Sequence, residues 1–253
     1  MKRGTAVFGM PSGPIKCAGA PQKIVCLAAD YWRQQGVLND IRVVLVLPTP
    51  GMFGVPVFAK ELERVAKGYG LEVHLSSEVV EVDPGSREVV VKDLAAGSQE
   101  RIGYDVMHLV SPQSAPDCSK RRPWLTPTCR PATSRSTTTP CSTPVIRTCS
   151  RWGTPAAPRT ARRAQRSASR RPSSWRTCVR ILRKTATASY GLYASCPLTT
   201  ARNKALLAEF DYTMEPKPSF PVIDTTKERK DMWLLKKYGL PALYWNLMLK
   251  GRA

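Results

Sequence analysis

Short apolar runs alternate with amphipathic stretches along the first 117 residues. Three of the runs predict strands, at residues 4–10, 43–47 and 71–75. The second run is unbroken by polar residues, which is typical of a strand buried in a parallel sheet. Helices are predicted at residues 21–35, after a loop rich in Pro and Gly, and at 55–69, where apolar residues recur at steps of three and four before Gly70. Strands that alternate with helices in this way indicate an α/β fold with a largely parallel sheet.

The pattern continues with a hairpin and a last strand. Residues 78–83 and 87–92 flank the turn dipeptide Pro84-Gly85, and residues 102–110 form one closing apolar run. This order of elements is similar to that of the second dinucleotide-binding-type domain of two-domain flavoprotein reductases. Because the stretch contains no GxGxxG fingerprint, its residues give no argument of their own for a bound nucleotide.

Residues 118–189 differ from both flanks in composition. They include fifteen Arg and two Lys but no Asp or Glu, and so account for most of the net charge of +20. Such a block favours a nucleic acid or another acidic partner, because Arg neutralises phosphate and releases counterions. The same residues include five Cys, three Trp and eight Pro without apolar periodicity, which is not typical of a basic tail. The Cys have irregular spacing and no neighbouring His, which argues against a zinc site.

This composition is typical of a GC-rich gene translated out of frame. One base out of register, residues 160–178 permit the peptide NSKTGAAIRKQAPVVVENL, and residues 133–154 permit a peptide that ends in YPNVFSLGDA. We therefore predict a local frameshift that opens near Asp117 and closes just before Tyr190. The predicted units are an α/β domain at 1–117, a disordered basic segment at 118–189, and a C-terminal segment at 190–253. The codons of the basic segment distinguish this hypothesis from a nucleic-acid-binding protein.

Four motifs give the chain a specific resemblance. They are PIKCAGAPQK at residues 14–23, TPGMFGV at 49–55, GLYASCPLTT at 191–200 and LAEFDY at 207–212. Together with the hidden SKT and LGDA, these motifs closely resemble the sulfide:quinone oxidoreductases. The resemblance implies a flavoprotein with an FAD/NAD(P)-binding Rossmann-like domain, here incomplete. It also implies that FAD carries two electrons from sulfide to a membrane quinone while sulfide becomes sulfane sulfur.

Two cysteines and one lysine are the predicted site residues. Cys17 lies between two lysines, and nearby cations lower the pKa of a thiol, although the residues alone also permit a structural Cys in a loop. Cys196 has no charged neighbour in sequence and by itself indicates a buried thiol. The resemblance implies that Cys17 attacks the flavin ring, and that Cys196 takes up sulfide sulfur as a persulfide and bridges to Cys17 in the resting enzyme. It implies that Lys23 lies near the flavin and stabilises its anionic forms.

Three further residues that could carry chemistry have simpler interpretations. Cys26 falls within a predicted helix among apolar neighbours, which favours core packing. His74 and His108 each lie in a strand pattern, for which we expect structural roles.

Residues 227–253 mix Lys and Arg with Trp, Tyr and Leu. The stretch is too short and too charged to span a bilayer, and it predicts a pair of amphipathic helices. The pattern alone permits packing on the protein core or a position in the membrane interface. The resemblance favours the interface, and implies a peripheral membrane protein on the cytoplasmic or matrix-side face that draws on the quinone pool.

Two elements with which family members bind flavin are not found in the sequence. No glycine-rich βαβ unit precedes the first predicted strand, and residues 151–154 stand where the hidden frame has LGDA, whose Asp contacts flavin in relatives. We therefore expect the C-terminal portion of such an enzyme, one that alone binds FAD weakly or not at all. The remaining alternative, an NADH:quinone oxidoreductase-like flavoprotein, would not need both Cys17 and Cys196.

Overall fold

The computed structural model describes residues 1–13, 15, 17–112, 194–211, 214–220 and 222–252. The segment 118–189, for which the sequence predicts disorder, lies outside these residues.

The first 74 residues form the predicted βαβαβ unit. Its elements are β1 (Gly4–Gly9), α1 (Ala20–Gln34), β2 (Ile41–Val46), α2 (Pro56–Gly68) and β3 (Glu72–His74). Pro21 and Pro56 lie in the first turns of the two helices, where a missing N–H costs nothing. Gly70 follows α2 with φ +68°, a torsion that glycine adopts without steric cost. Each of these elements agrees with the sequence prediction to within two residues.

A hairpin and two further strands follow. They are β4 (Ser77–Asp83), β5 (Glu88–Asp93), β6 (Gln99–Gly103) and β7 (Val106–Leu109). The prediction of one strand at residues 102–110 is therefore wrong. The break falls at Asp105, whose carboxylate accepts the Thr5 N–H at 2.8 Å while its own N–H donates to the Thr5 carbonyl. These bonds turn the chain from one sheet into another.

The strands form three layers with the helices. Parallel strands in the order β3, β2, β1, β7 make the central sheet, and β4, β5 and β6 make an antiparallel sheet. Val7, Val44 and Val46 face the antiparallel sheet, whereas the intervening residues of β1 and β2 face the helices. The central sheet is thus covered on both faces, as its unbroken apolar run at β2 requires.

A second hairpin covers the outer side of the helices. Its strands are β8 (Ala194–Ala201) and β9 (Lys204–Phe210), and alternate residues of both strands join the core cluster that contains α1 and α2. On the opposite face of this hairpin, Ala205 and Leu207 pack against Met232. The hairpin therefore lies between the helices and the C-terminal residues.

The C-terminal residues form one helical run, not the predicted pair of helices. We call residues 230–248 the C-terminal helix; its α-helical turns at Lys230–Leu234 and Leu240–Leu243 alternate with π-helical turns at Leu235–Gly239 and Tyr244–Met248. Gly239, in the middle of this run, keeps helical torsions of φ −66° and ψ −51°. Within the described residues, no helix combines the length and the apolar character that crossing a bilayer would require.

Glu228 ties the C-terminal residues to the hairpin and to α2. Its carboxylate accepts from the Thr200 hydroxyl at 2.8 Å and the Lys204 ammonium at 2.9 Å, and Arg64 lies 3.2 Å away. Its backbone N–H donates to Glu61 at 3.1 Å. Burial raises the pKa of Glu228, but the bonds from Lys204 and Thr200 outweigh burial and hold the pKa below its usual value.

We expect Glu228→Gln to lower the free energy of unfolding by about 2 kcal/mol at neutral pH, because a partly buried charged acceptor is lost. A depressed folded-state pKa contributes stability above the ordinary carboxyl pKa, and this contribution is lost as pH falls through the folded-state value. The difference between parent and variant should therefore shrink as pH falls below about 4. Urea unfolding across pH measures it, with the exposed Glu63→Gln as control; a pH-independent difference would contradict this assignment.

Candidate redox site

Cys17 lies at the carboxyl edge of the parallel sheet. It belongs to the loop between β1 and α1, and β1 is the strand at which the order of the sheet reverses, with β2 on one side and β7 on the other. In open α/β sheets ligands bind in the crevice beside such a reversal. The fold therefore places a half-buried thiol where such proteins commonly carry out their chemistry.

The start of α1 holds Cys17 close to Lys23. The Cys17 carbonyl accepts the Ala20 N–H at 3.1 Å, and the Gly19 carbonyl accepts the Lys23 N–H at 3.4 Å, so the loop runs directly into the first helical turn. One turn along the helix, the Lys23 ammonium reaches the Cys17 sulfur at 3.9 Å. A positive charge at this distance stabilises a thiolate over a thiol.

Cys196 reaches the same loop from β8. Its side chain is fully buried on the face of the hairpin that packs on α1, opposite Ala208 of β9. A methyl group added at Gly19 would lie 3.0 Å from the Cys196 sulfur and would overlap the side chain of Leu198. The lack of a side chain at Gly19 thus leaves room for Leu198 and Cys196 of β8, two residues from Cys17. The structure thus brings all three predicted site residues to the N-terminal end of α1.

The other thiol of the described residues has a different environment. Cys26 is 1% exposed in the core beneath α1, and burial, with smaller contributions from Glu228 and Asp30, raises its pKa to about 12. The prediction that Cys26 serves core packing is confirmed. The histidines also take part in structural contacts: His74 lies 2.7 Å from the Glu72 carboxylate, and the His108 ring packs against Phe8.

Sequence reasoning missed two polar residues on the buried side of α1. Gln22 is 2% exposed; its amide nitrogen donates to the Met52 carbonyl, and its Oε1 has no hydrogen-bond partner among the described residues. Asp30 is 3% exposed and lies two turns further along. Both fall on the helix stripe that also holds Val25 and Ala29. Polar residues on an apolar helix stripe are the signal that could have identified them.

Asp30 is the centre of a polar cluster between α1 and the hairpin. Its carboxylate accepts from Arg33 at 2.6 Å, from Gln34 at 2.8 Å, and from the N–H of Arg202 at 2.9 Å. Burial opposes ionisation, but the bonds from Arg202 and Arg33 outweigh it, so the pKa of Asp30 lies below its usual value. The Tyr69 hydroxyl, 3.3 Å from Asp30, donates to the Thr200 carbonyl at 2.9 Å.

Comparison with known proteins gives mitochondrial sulfide:quinone oxidoreductases as curated relatives. The chain is 34% identical over 255 residues to the mitochondrial sulfide:quinone oxidoreductase of Mus musculus, and 33% identical over 259 residues to that of Schizosaccharomyces pombe. Each match covers 99% of this chain and 55% of the relative, so the chain spans about half the length of the curated relatives it matches. No model of a protein family matches the chain.

Two solved structures share its fold. The sulfide:quinone oxidoreductase of Aquifex aeolicus has a TM-score of 0.75 at 14% identity, over 98% of this chain and 59% of that one. A chain of the mitochondrial ATP synthase of Tetrahymena thermophila has a TM-score of 0.79 at 10% identity, over 99% of this chain and 59% of that one. At such identities the structural likeness establishes an α/β Rossmann-type fold and nothing further. From its curated relatives, the chain belongs to the sulfide:quinone oxidoreductase family, matching about half of the length of those relatives.

Proposed function

We propose that this chain carries the sulfur-handling half of a sulfide:quinone oxidoreductase, with Cys17 and Cys196 as its redox pair and Lys23 as their cation. The observation that carries the proposal is the contact of the Cys196 sulfur with the Gly19 position, beside a Cys17 that Lys23 reaches. The core thiol Cys26, whose pKa is raised by burial, is unsuited to this role.

The proposed chemistry begins from a disulfide between Cys17 and Cys196. A hydrosulfide ion attacks the Cys196 sulfur, the bond between the two cysteines breaks, and Cys17 leaves as a thiolate. Cys196 then carries the incoming sulfur as a persulfide, and the electron pair of the broken bond resides on Cys17. The Lys23 ammonium stabilises the departing thiolate. Because Cys196 is fully buried, the persulfide is shielded from other thiols.

FAD is the cofactor that the family implies, and the described residues fit part of it. The Cys17 thiol and the Lys23 ammonium suit the redox-active ring, and the adjacent Gln22 has a buried Oε1 without a hydrogen-bond partner among the described residues. No glycine-rich turn that would cradle a pyrophosphate occurs among these residues. FAD, when bound, supplies a two-electron acceptor that passes electrons to a quinone. We expect the chain alone to bind it weakly or not at all.

An NADH:quinone flavoprotein remains the alternative class. It requires no thiol at position 196, so the approach of Cys196 to the Cys17 loop favours sulfide as the electron donor.

We expect mild oxidation of the full chain to link Cys17 to Cys196, and sulfide then to leave one additional sulfur atom on the peptide that contains Cys196. Disulfide bonds require sulfur atoms to be brought within bonding distance, and the fold brings these two residues to one place. Peptide mapping by mass spectrometry, after alkylation, locates both the link and the added sulfur.

Two variants serve as controls for this experiment. Cys196→Ser should abolish the link and the added sulfur on that peptide, whereas Cys26→Ser should preserve both. Additional sulfur on Cys17 instead of Cys196 would overturn the assigned roles, and absence of any link between them would overturn the proposal.

Lys23→Gln should slow alkylation of Cys17 by iodoacetamide about three- to tenfold at neutral pH, because the cation that favours the thiolate is removed. Lys23→Arg keeps the charge and should keep most of the rate. Lys60→Gln, at an exposed lysine of α2, is the matched control. Equal Cys17 rates in the parent and Lys23→Gln chains would exclude the proposed role of Lys23.

We further propose that the C-terminal helix lies on a membrane surface where quinone is available, on a cytoplasmic or matrix-side face. The most exposed apolar side chains of the helix and of the residue after it recur at steps of four and seven residues. They are Leu234, Tyr238, Trp245 and Leu249, each at least half exposed. Lysines at positions 230, 237 and 250 accompany them, and basic amphipathic helices with aromatic residues favour anionic interfaces. Relatives named as mitochondrial proteins support a mitochondrial membrane as that surface.

The full chain should float with phosphatidylglycerol-containing liposomes, and the double variant Tyr238→Ser with Trp245→Ser should reduce the bound fraction at least about tenfold, given the apolar area lost. Tyr31→Ser, at an equally exposed tyrosine of α1, should leave binding unchanged. Binding that does not depend on the helix residues would reject this surface.

A further inference from the structure

We propose that Asp30 and Tyr69 are positioning residues for the redox pair: they fix β8 lengthwise along α1, so that Cys196 lies beside Cys17. This inference rests on the proposed function and adds to it the device that sets the separation of the two thiols. Neither residue belongs to the motifs that carry the family resemblance, and neither contacts Cys17 or Cys196 in the described hydrogen bonds.

The hairpin touches α1 near both ends of the helix. At the first end, Cys196 and Leu198 pack on Gly19. At the other end, Asp30 accepts the backbone N–H of Arg202, in the turn between β8 and β9. The strand and the helix therefore run side by side, and two separate contacts fix their alignment.

The two spans are comparable in length. From Gly19 to Asp30 an α-helix rises about 16 Å. From Cys196 to Arg202 an extended strand covers about 20 Å at most, and its pairing with β9 shifts register between Thr199 and Ala201. The helix thus acts as a rigid spacer, and a bond at its far end determines which residue of β8 lies against Gly19.

Tyr69 supplies the second contact from the end of α2. Its hydroxyl donates to the carbonyl of Thr200, and the Arg33 guanidinium lies 4.6 Å from the centre of its ring. Thr200 is fully buried, so its carbonyl has no access to water as a substitute partner. Asp30 and Tyr69 therefore hold one backbone N–H and one backbone carbonyl, two residues apart, at the same end of β8.

Backbone contacts are well suited to this purpose because a disulfide tolerates little misalignment. The Cα atoms of disulfide-bonded cysteines lie about 4.4–6.8 Å apart. A slip of β8 by one residue moves Cys196 about 3.3 Å and turns its side chain to the other face of the hairpin. Either change prevents the bond to Cys17, so the alignment of β8 controls the proposed chemistry.

The test measures how readily Cys17 and Cys196 pair in the full chain. The chain is equilibrated in a glutathione redox series, and the linked fraction of this pair gives the effective concentration of one thiol at the other. We expect this value to fall about tenfold in Asp30→Asn and about three- to fivefold in Tyr69→Phe, the magnitudes expected for loss of charged and neutral hydrogen bonds. Asp40→Asn, an exposed acid just beyond α1, should leave it unchanged.

Cys26 distinguishes positioning from a general loss of stability. Its buried thiol should stay unreactive toward alkylation in the parent and in both variants, because the core beneath α1 remains closed. A lowered effective concentration with Cys26 still protected supports the inference. Exposure of Cys26 in both variants would overturn it, since the residues would then act through overall stability.

The remaining outcomes separate this inference from the proposed function. If the parent pairs Cys17 with Cys196 and both variants pair them equally well, the inference fails and the proposed function stands. If the parent never pairs them, the proposed function fails and this inference fails with it.

Discussion

Burial of helix α1 between the parallel sheet and the second hairpin is the constraint on which the site depends. One side of the helix packs on β1 and β2, and another packs on β8, so the first helical turn lies at the junction of three layers. A helix held on two sides cannot rotate without exposing apolar area, which costs about 25 cal/mol for each Å². Core packing of the helix, as well as contacts within the loop, therefore fixes the relative position of Cys17 and Lys23 at its N-terminal end.

The two proposed redox thiols and the core thiol illustrate how one helix creates different environments. Cys17 precedes the helix, is half-buried and has an ammonium beside it. Cys26 lies two turns along on the sheltered face, where burial opposes ionisation. Cys196 comes from a distant part of the sequence and packs against Gly19, whose lack of a side chain leaves room for it. The three thiols are chemically identical, but they differ in solvent exposure and in the charges nearby.

Local patterns predicted the parts of the fold that local physics determines. The strands and helices of the first 74 residues followed from apolar periodicity, and the contact of Lys23 with Cys17 follows from their sharing a loop and a helical turn. The break at Asp105 was missed because its cause is a bond to Thr5, one hundred residues away. The continuous C-terminal helix was predicted as a pair of helices, yet Gly239 in its middle keeps helical torsions. The approach of Cys196 to Cys17 could not be derived from spacing, since tertiary packing alone brings β8 to α1; it was expected only from the family resemblance.

The pairing that the Thr5–Asp105 bonds support also affects how the chain folds. Strand β1 emerges before β7 during synthesis, and β7, which pairs with its second edge, follows about a hundred residues later. Such a non-local pairing requires closure of a long loop before it contributes any stability. In the interval, β1 presents an open edge to other chains, a condition that favours aggregation. Asp105 makes two hydrogen bonds to Thr5, at the start of β1, and precedes the strand that covers this edge. Once β7 has paired there, the edge is no longer available to other chains.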